Sequence, residues 1–210
     1  MRFYTIDGKE YPSVTTVLGV LPQPTPLKLF IENNPDAAFI AANRAYIGTL
    51  SHYYFECQNS TSLNRTAELE EVNLQFDTEE NREIIKNIET KIEFFLMEND
   101  LKPLYLEEKL WSHELQTAGR CDFIGYLNGK LSIIDLKTSK MFYESDTGYD
   151  SHSIQLSAYK YCAKETLGLD ITNLYILRAH EDSWFEIKEK EFNIDGFKYA
   201  RKLFKEKYGK

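Results

Sequence analysis

The stretch CDFIGYLNGKLSIIDLKTSK, residues 121–140, constrains this chain more than any other. Asn128 and Gly129 stand between two apolar runs, and both tolerate the positive φ of a two-residue hairpin turn. With these two in the loop, Leu127 pairs with Lys130, and strands near 119–127 and 130–137 become antiparallel neighbours. Continuing the count places Asp122 opposite Asp135, at a non-hydrogen-bonded pair with Cα atoms about 4.5 Å apart. Like charges facing each other there destabilise a sheet. Something positive has to compensate, and a divalent cation does so naturally. Because side chains alternate along a strand, Asp135 and Lys137 share a face with Asp122, while Leu136 points into the opposite layer. Two carboxylates and an ammonium thus converge at the end of a strand that reads as buried. Such a set can bind Mg2+, orient a water and stabilise charge on phosphorus. An Asp-x-Lys at a strand end is weak by itself; the cross-strand acid gives it weight.

The rest of the chain places this hairpin in a larger pattern. Residues 1–20 read as a short hairpin with an Asp-Gly turn leading into PSVTTVL, and the prolines of LPQPTP read as a loop. Helical spacing runs from about 36 to 57 and, more strongly, from about 78 to 97, where Ile84, Ile85, Ile88, Ile92, Phe95 and Leu96 share a face. Residues 59–78 are polar and read as a loop. Strands are expected near 104–112, 119–127 and 130–137, then a helix from 152 to 167 closed by Gly168. Strands near 172–179 and 184–190 and a helix near 194–207 complete the chain. This order predicts an α/β (mixed α+β) fold with a central mixed sheet flanked by helices.

Composition narrows the function classes. No apolar run approaches the roughly 18 residues a membrane span needs, and MRFYTIDGKEYPS has the character of neither a secretory signal nor a transit peptide. A cytoplasmic location, or a host's cytoplasm, is the expectation. Cys57, Cys121 and Cys162 are far apart and form no metal-ligand spacing, so they read as packed thiols. The net charge of −8 is unevenly spread. Residues 61–100 hold eleven acids against four bases, whereas the last seventeen residues carry six bases against two acids. A locally basic track along Lys198, Arg201, Lys202 and Lys205 is compatible with this balance; a solvated face is the plainer alternative.

These motifs, taken in order, resemble the PD-(D/E)XK nuclease superfamily, specifically its RecB-like exonuclease branch, with likeness to phage exonucleases and the mitochondrial genome maintenance exonuclease. The residues that carry the resemblance are Gly48-Thr49-x-x-His52, Glu107 or Glu108, Gly119-x-x-Asp122, Ile134-Asp135-x-Lys137-Thr138, and Gln155 with Tyr159. The resemblance implies a restriction-endonuclease-like core with an N-terminal helical segment. It also implies a metal-dependent deoxyribonuclease, an exonuclease on single-stranded or frayed DNA ends in replication, recombination or repair. One or two Mg2+ or Mn2+ ions would be held by His52, Asp122, Asp135, Glu107 and the carbonyl of Leu136, with Lys137 as the catalytic lysine and no iron–sulfur cluster. Gln155, Tyr159, Thr138, Ser139, Lys140, Ser13 and Thr15 would contact nucleic acid. Counting back from Gly119 favours Glu107 over Glu108; in a regular strand the two point to opposite faces, so only one can serve. DNA is the expected partner, with recombination or replication proteins beside it and no membrane. The whole chain, 1–210, is expected to form one nuclease domain: an N-terminal hairpin and helical part to 100, the core from 101 to 192, and a basic helix from 193. An endonuclease of the same superfamily and a non-catalytic DNA-binding or recombination adaptor are the alternatives.

Overall fold

The computed structural model describes residues 1–60, 73–139, 149–181 and 184–209. Asn128 and Gly129 adopt φ values of 50° and 81° and close the expected turn between antiparallel strands β4 (Thr117–Leu127) and β5 (Lys130–Ser139). The pairing runs from Leu127 opposite Lys130 to Phe123 opposite Ile134, and there the ladder stops. The expected pair of Asp122 facing Asp135 does not form. Instead the Leu136 amide donates to Asp122 Oδ2 at 2.7 Å. A carboxylate has taken the place of a backbone carbonyl, a stronger charge-assisted bond that also spares the sheet two directly opposed acids.

Strand β3 (Leu101–Ser112) pairs with the other side of β4 and has a matching irregularity. Its ladder passes from Leu106 opposite Phe123 to Glu108 opposite Cys121, leaving out Glu107 and Asp122. Glu107 has a φ of 49°, uncommon for a residue with a Cβ. Beyond β5, helix α5 (Ser151–Leu167) leads to β6 (Asn173–His180), parallel to β5, and β7 (Phe185–Glu189) pairs antiparallel with β6. The result is a mixed α/β fold whose five-stranded mixed sheet, ordered β3-β4-β5-β6-β7, is flanked by helices, consistent with a restriction-endonuclease-like core.

Strand alternation sorts the apolar residues onto two faces. Ile124 and Ile133 pack with Val17 of α1 (Val14–Leu18), Ile154 of α5 and Phe197 of α6 (Ile194–Tyr208). Phe123, Ile134 and Leu136 pack with Ile47 and Phe55 of α3 (Ala37–Asn59) and with Ile88, Ile92 and Phe95 of α4 (Glu79–Glu98). In α4 these buried residues recur every three or four positions, so the acids of that segment fall on the solvated face. Near the start of the chain, β1 (Phe3–Ile6) and β2 (Lys9–Pro12) form the expected hairpin, with Asp7 and Gly8 at its turn. It is tied to the sheet by Thr117 Oγ1 donating to the Pro12 carbonyl at 2.9 Å and by a bridge between Ser13 and Ala118.

One element departs from expectation. The proline-rich segment read as a loop runs into a helix, α2 (Thr25–Asn33). Prolines at the first turn are compatible with a helix because the N–H they lack has no helical acceptor there. No residue of α2 is buried, and Leu27, Leu29, Phe30 and Ile31 are each 41–50% exposed. Within the predicted loop 59–78, residues 61–72 lie outside the described residues, and Leu74–Phe76 forms a single turn of 3-10 helix.

Candidate functional site

The interrupted ends of β4 and β5 open into a cavity of about 940 Å3. Its floor comes from β3, β4, β5 and α5: Glu107, Asp122, Asp135, Lys137, Gln155 and Tyr159. One wall is α3, which presents Gly48, Thr49, His52, Tyr53 and Glu56; another is Arg2 and Tyr4 of the hairpin with Ser13 and Thr15 at the start of α1. Close approach explains the glycine of the Gly-x-x-Asp motif. A Cβ on Gly119 would stand 2.6 Å from the Tyr159 ring.

Three donor groups meet at the centre. Ligand atoms of His52, Glu107 and Asp122 all lie within 4.8 Å of one another, a spacing that can hold a metal ion. His52 Nδ1 lies 3.2 Å from Asp122 Oδ2 and 4.0 Å from Glu107 Oε1. The left-handed turn of the backbone at Glu107, opposite the unpaired Asp122, accompanies its position on the cavity floor; Glu108 does not line the cavity. Arg120 Nη1 lies 3.7 Å from Glu107 Oε2.

Asp135 lies beside this trio, at the end of β5, and lines the same cavity. Its Oδ1 accepts a hydrogen bond from Gln155 Nε2 at 2.9 Å, and its Oδ2 lies 2.5 Å from Lys137 Nζ. Asp135 is thus held on one oxygen by an amide and on the other by the Lys137 ammonium.

The electrostatics tell the same story through protons. Burial opposes charge on His52, but the Asp122 carboxylate outweighs it, and the imidazole pKa is pushed up to about 9. Burial, then the Asp122 charge, pushes Glu107 up to about 7. Asp122 is held below the usual carboxylate range: burial works against this, and the His52 charge prevails. Burial likewise opposes charge on Lys137, but Asp135 and Asp122 hold its proton more firmly than usual. Without a metal, the site retains protons on His52 and Glu107, which is where a cluster of acids would otherwise receive cationic charge.

The remaining predicted contacts divide. Gln155, Tyr159, Ser13 and Thr15 line the cavity, and Gln155 Nε2 lies 3.4 Å from the Tyr159 hydroxyl. Thr138 is half-buried and does not line it. Ser139 ends β5, and Lys140 lies outside the described residues. Leu136 turns its side chain into the α3/α4 core, and its amide holds Asp122. Lys198, Arg201, Lys202 and Lys205 of α6 do not line the cavity; Arg201 donates to the Gln116 carbonyl. Burial raises Cys121 well above the thiol range, which fits an inert packed residue.

Sequence reasoning passed over Arg120, Glu56, Arg2 and Tyr4. Two signals were available. Arg120 is two residues before Asp122 in one strand, and Glu56 is four residues after His52 in one helix. No local pattern ties Arg2 and Tyr4 to residues more than a hundred positions away.

No family model matches this chain, and no curated protein matches it. Among solved structures, a candidate exonuclease from Eubacterium rectale is similar at 18% identity with a TM-score of 0.46, over 77% of this chain. This chain spans 63% of the length of that structure. A protein designated SSO0001 is similar at 15% identity with a TM-score of 0.33, over 75% of this chain and 83% of the other. Neither likeness assigns a function. Among the described residues, no helix is long and apolar enough to cross a membrane.

Proposed function

We propose that this protein is a metal-dependent deoxyribonuclease of the PD-(D/E)XK type, acting as an exonuclease on single-stranded or frayed DNA ends. The observation that carries this reading is the meeting of His52, Glu107 and Asp122 on the floor of a cleft, beside Asp135 and Lys137. These residues fit Mg2+ or Mn2+: carboxylate oxygens, which are hard donors, and one imidazole, with ligand atoms within 4.8 Å of one another. Asp135 and the Leu136 carbonyl would complete the set. When bound, such an ion polarises the phosphoryl oxygen and offsets the charge that develops on it.

The chain's own groups do the rest. Gln155 holds Asp135, and the Leu136 amide holds Asp122, so both carboxylates are fixed before substrate arrives. Lys137 keeps its proton at neutral pH and lies at the carboxylates. It would orient the attacking water and donate toward the phosphate, the role a positioned cation serves best in a partly dry site. No covalent intermediate on the enzyme is needed. The complete Asp122, Asp135 and Lys137 set disfavours a non-catalytic adaptor.

The test is cleavage of end-labelled single- and double-stranded DNA with Mg2+, Mn2+ or EDTA, with Lys137→Ala alongside. Metal-dependent cleavage is expected, reduced at least about 100-fold by the substitution, the scale of a lost general acid–base or charge-stabilising group. Mononucleotides and short oligomers indicate exonuclease action, whereas discrete fragments indicate an endonuclease. Folded wild type that cleaves nothing with either metal sinks the reading in favour of a DNA-binding module.

A further inference from the structure

The cleft has acids on its floor, yet a polynucleotide brings one negative charge per phosphate. Its walls therefore need cations. Two of the lining cations are already beside acids: Lys137 is 2.5 Å from Asp135, and Arg120 is 3.7 Å from Glu107. Arg2 differs. Among the described residues its side chain makes no ion pair; its guanidinium is exposed and lies 5.0 Å from the centroid of the Tyr4 ring, which also lines the cleft. Neither residue belongs to the buried part of either core.

This pair is held in place by its backbone. The Arg2 amide donates to Thr16 Oγ1 at 2.9 Å, and the Arg2 carbonyl accepts from the Ser13 amide at 2.9 Å. Pro12 in turn accepts from Thr117, two residues from Gly119 on the β4 side of the cavity. The backbone that carries Arg2 is thus anchored, and Arg2 and Tyr4 line the same cavity as His52. An aromatic face stacks on any unpaired base, and an arginine meets phosphate; the combination is the usual equipment for gripping a single strand without reading its sequence.

We propose that the N-terminal hairpin is a substrate-gripping wall, with Tyr4 stacking on an unpaired base and Arg2 contacting a phosphate of the bound strand. This rests on the nuclease reading above and names the feature that would make the site favour single strands. A base inside a duplex already stacks on its neighbours and offers Tyr4 no free face.

Steady-state cleavage of a fluorescein-labelled oligothymidylate and of a blunt duplex decides it. Tyr4→Ala should raise KM for the single strand roughly 5- to 150-fold, the range of one lost base stack. It should leave kcat and the duplex KM within about twofold, as expected when uniform binding is lost. Tyr4→Trp should retain the wild-type KM. Arg2→Ala should lower the slope of log KM against log salt by about 0.7, one phosphate contact on a single strand, and Arg2→Lys should restore it. If Tyr4→Ala does not fold by circular dichroism, Tyr4→Trp and the Arg2 pair still decide the matter. Unchanged KM and salt slope in an active enzyme overturn the hairpin proposal alone. Inactive wild type with both metals overturns the nuclease reading and this proposal together.

Discussion

The two halves of the β4–β5 hairpin do different work. From the Asn128-Gly129 turn to Phe123 and Ile134, every position pairs, and Phe123, Ile124, Leu127, Ile133 and Ile134 are buried in the two cores. One residue further along, the ladder ends, and Asp122, Asp135 and Lys137 occupy positions that apolar residues could have filled. Burial works against the charge on every one of them. The regular half gains stability from burying apolar surface. The irregular half holds unfavourable charges in place because the regular half, α3 and α5 over-determine their positions, which is how strained functional groups persist.

Substitutions in the two halves should therefore behave in opposite ways. Ile133→Ala, in the regular half and fully buried, should lower unfolding free energy by about 2–5 kcal/mol in a urea titration and leave the activity of the folded fraction unaltered. Glu107→Gln should do the reverse. Its carboxyl pKa is raised to about 7, above the unfolded value near 4.3, so ionising it opposes folding increasingly from about pH 4.3 to 7. The neutral amide removes that penalty and should stabilise the metal-free protein at pH 8 by roughly 1 kcal/mol or more, while cleavage is lost. A destabilised Glu107→Gln at that pH would break the comparison.

A smaller effect sharpens it. Gln155 touches Asp135 through one hydrogen bond, so Gln155→Leu should weaken metal binding roughly 10- to 100-fold, the usual consequence of removing a partner that orients a ligand. Calorimetric titration with Mn2+ reads this directly, and an unchanged affinity would show that Asp135 needs no such support. The smallest effect concerns protons. His52 keeps its proton up to about pH 9 in the metal-free protein, and a metal-bound imidazole must be neutral. Ion binding at pH 8 should release about one proton from this residue, and apparent affinity should rise with pH up to about 9. Heats measured in buffers of different ionisation enthalpy count that proton. The same protonation stabilises the metal-free fold fully below the unfolded value near 6.5, and this stabilisation disappears as pH rises through about 9.

Much of this was legible because it is periodic or local. The turn at Asn128 and Gly129, the apolar face of α4 and the alternation that separates Leu136 from Asp135 each depend on neighbours in sequence. Where the LPQPTP loop gives way to α2 was not legible, because first-turn prolines look the same before a loop and before a helix. The site was legible in its members more than in its geometry. Strict pairing puts Asp122 opposite Asp135, whereas the structure gives Asp122 to His52 and Leu136, and Asp135 to Gln155 and Lys137. A pairing rule carries backbone partners only, and it has no means to weigh a side chain that replaces one.

By itself, then, the amino-acid order determined the elements, their faces, and the convergence of acids and a lysine at the end of one strand. The tertiary structure decided that Glu107, turned by a φ of 49°, rather than Glu108 lines the floor. It also decided where the β4–β5 ladder ends and that Arg2 and Tyr4 line the same cavity as His52. The reason is that backbone periodicity arises within a few residues. The field at a buried carboxylate, by contrast, is the sum of charges and donors from α3, α5, β3 and the hairpin, and only folding brings these together.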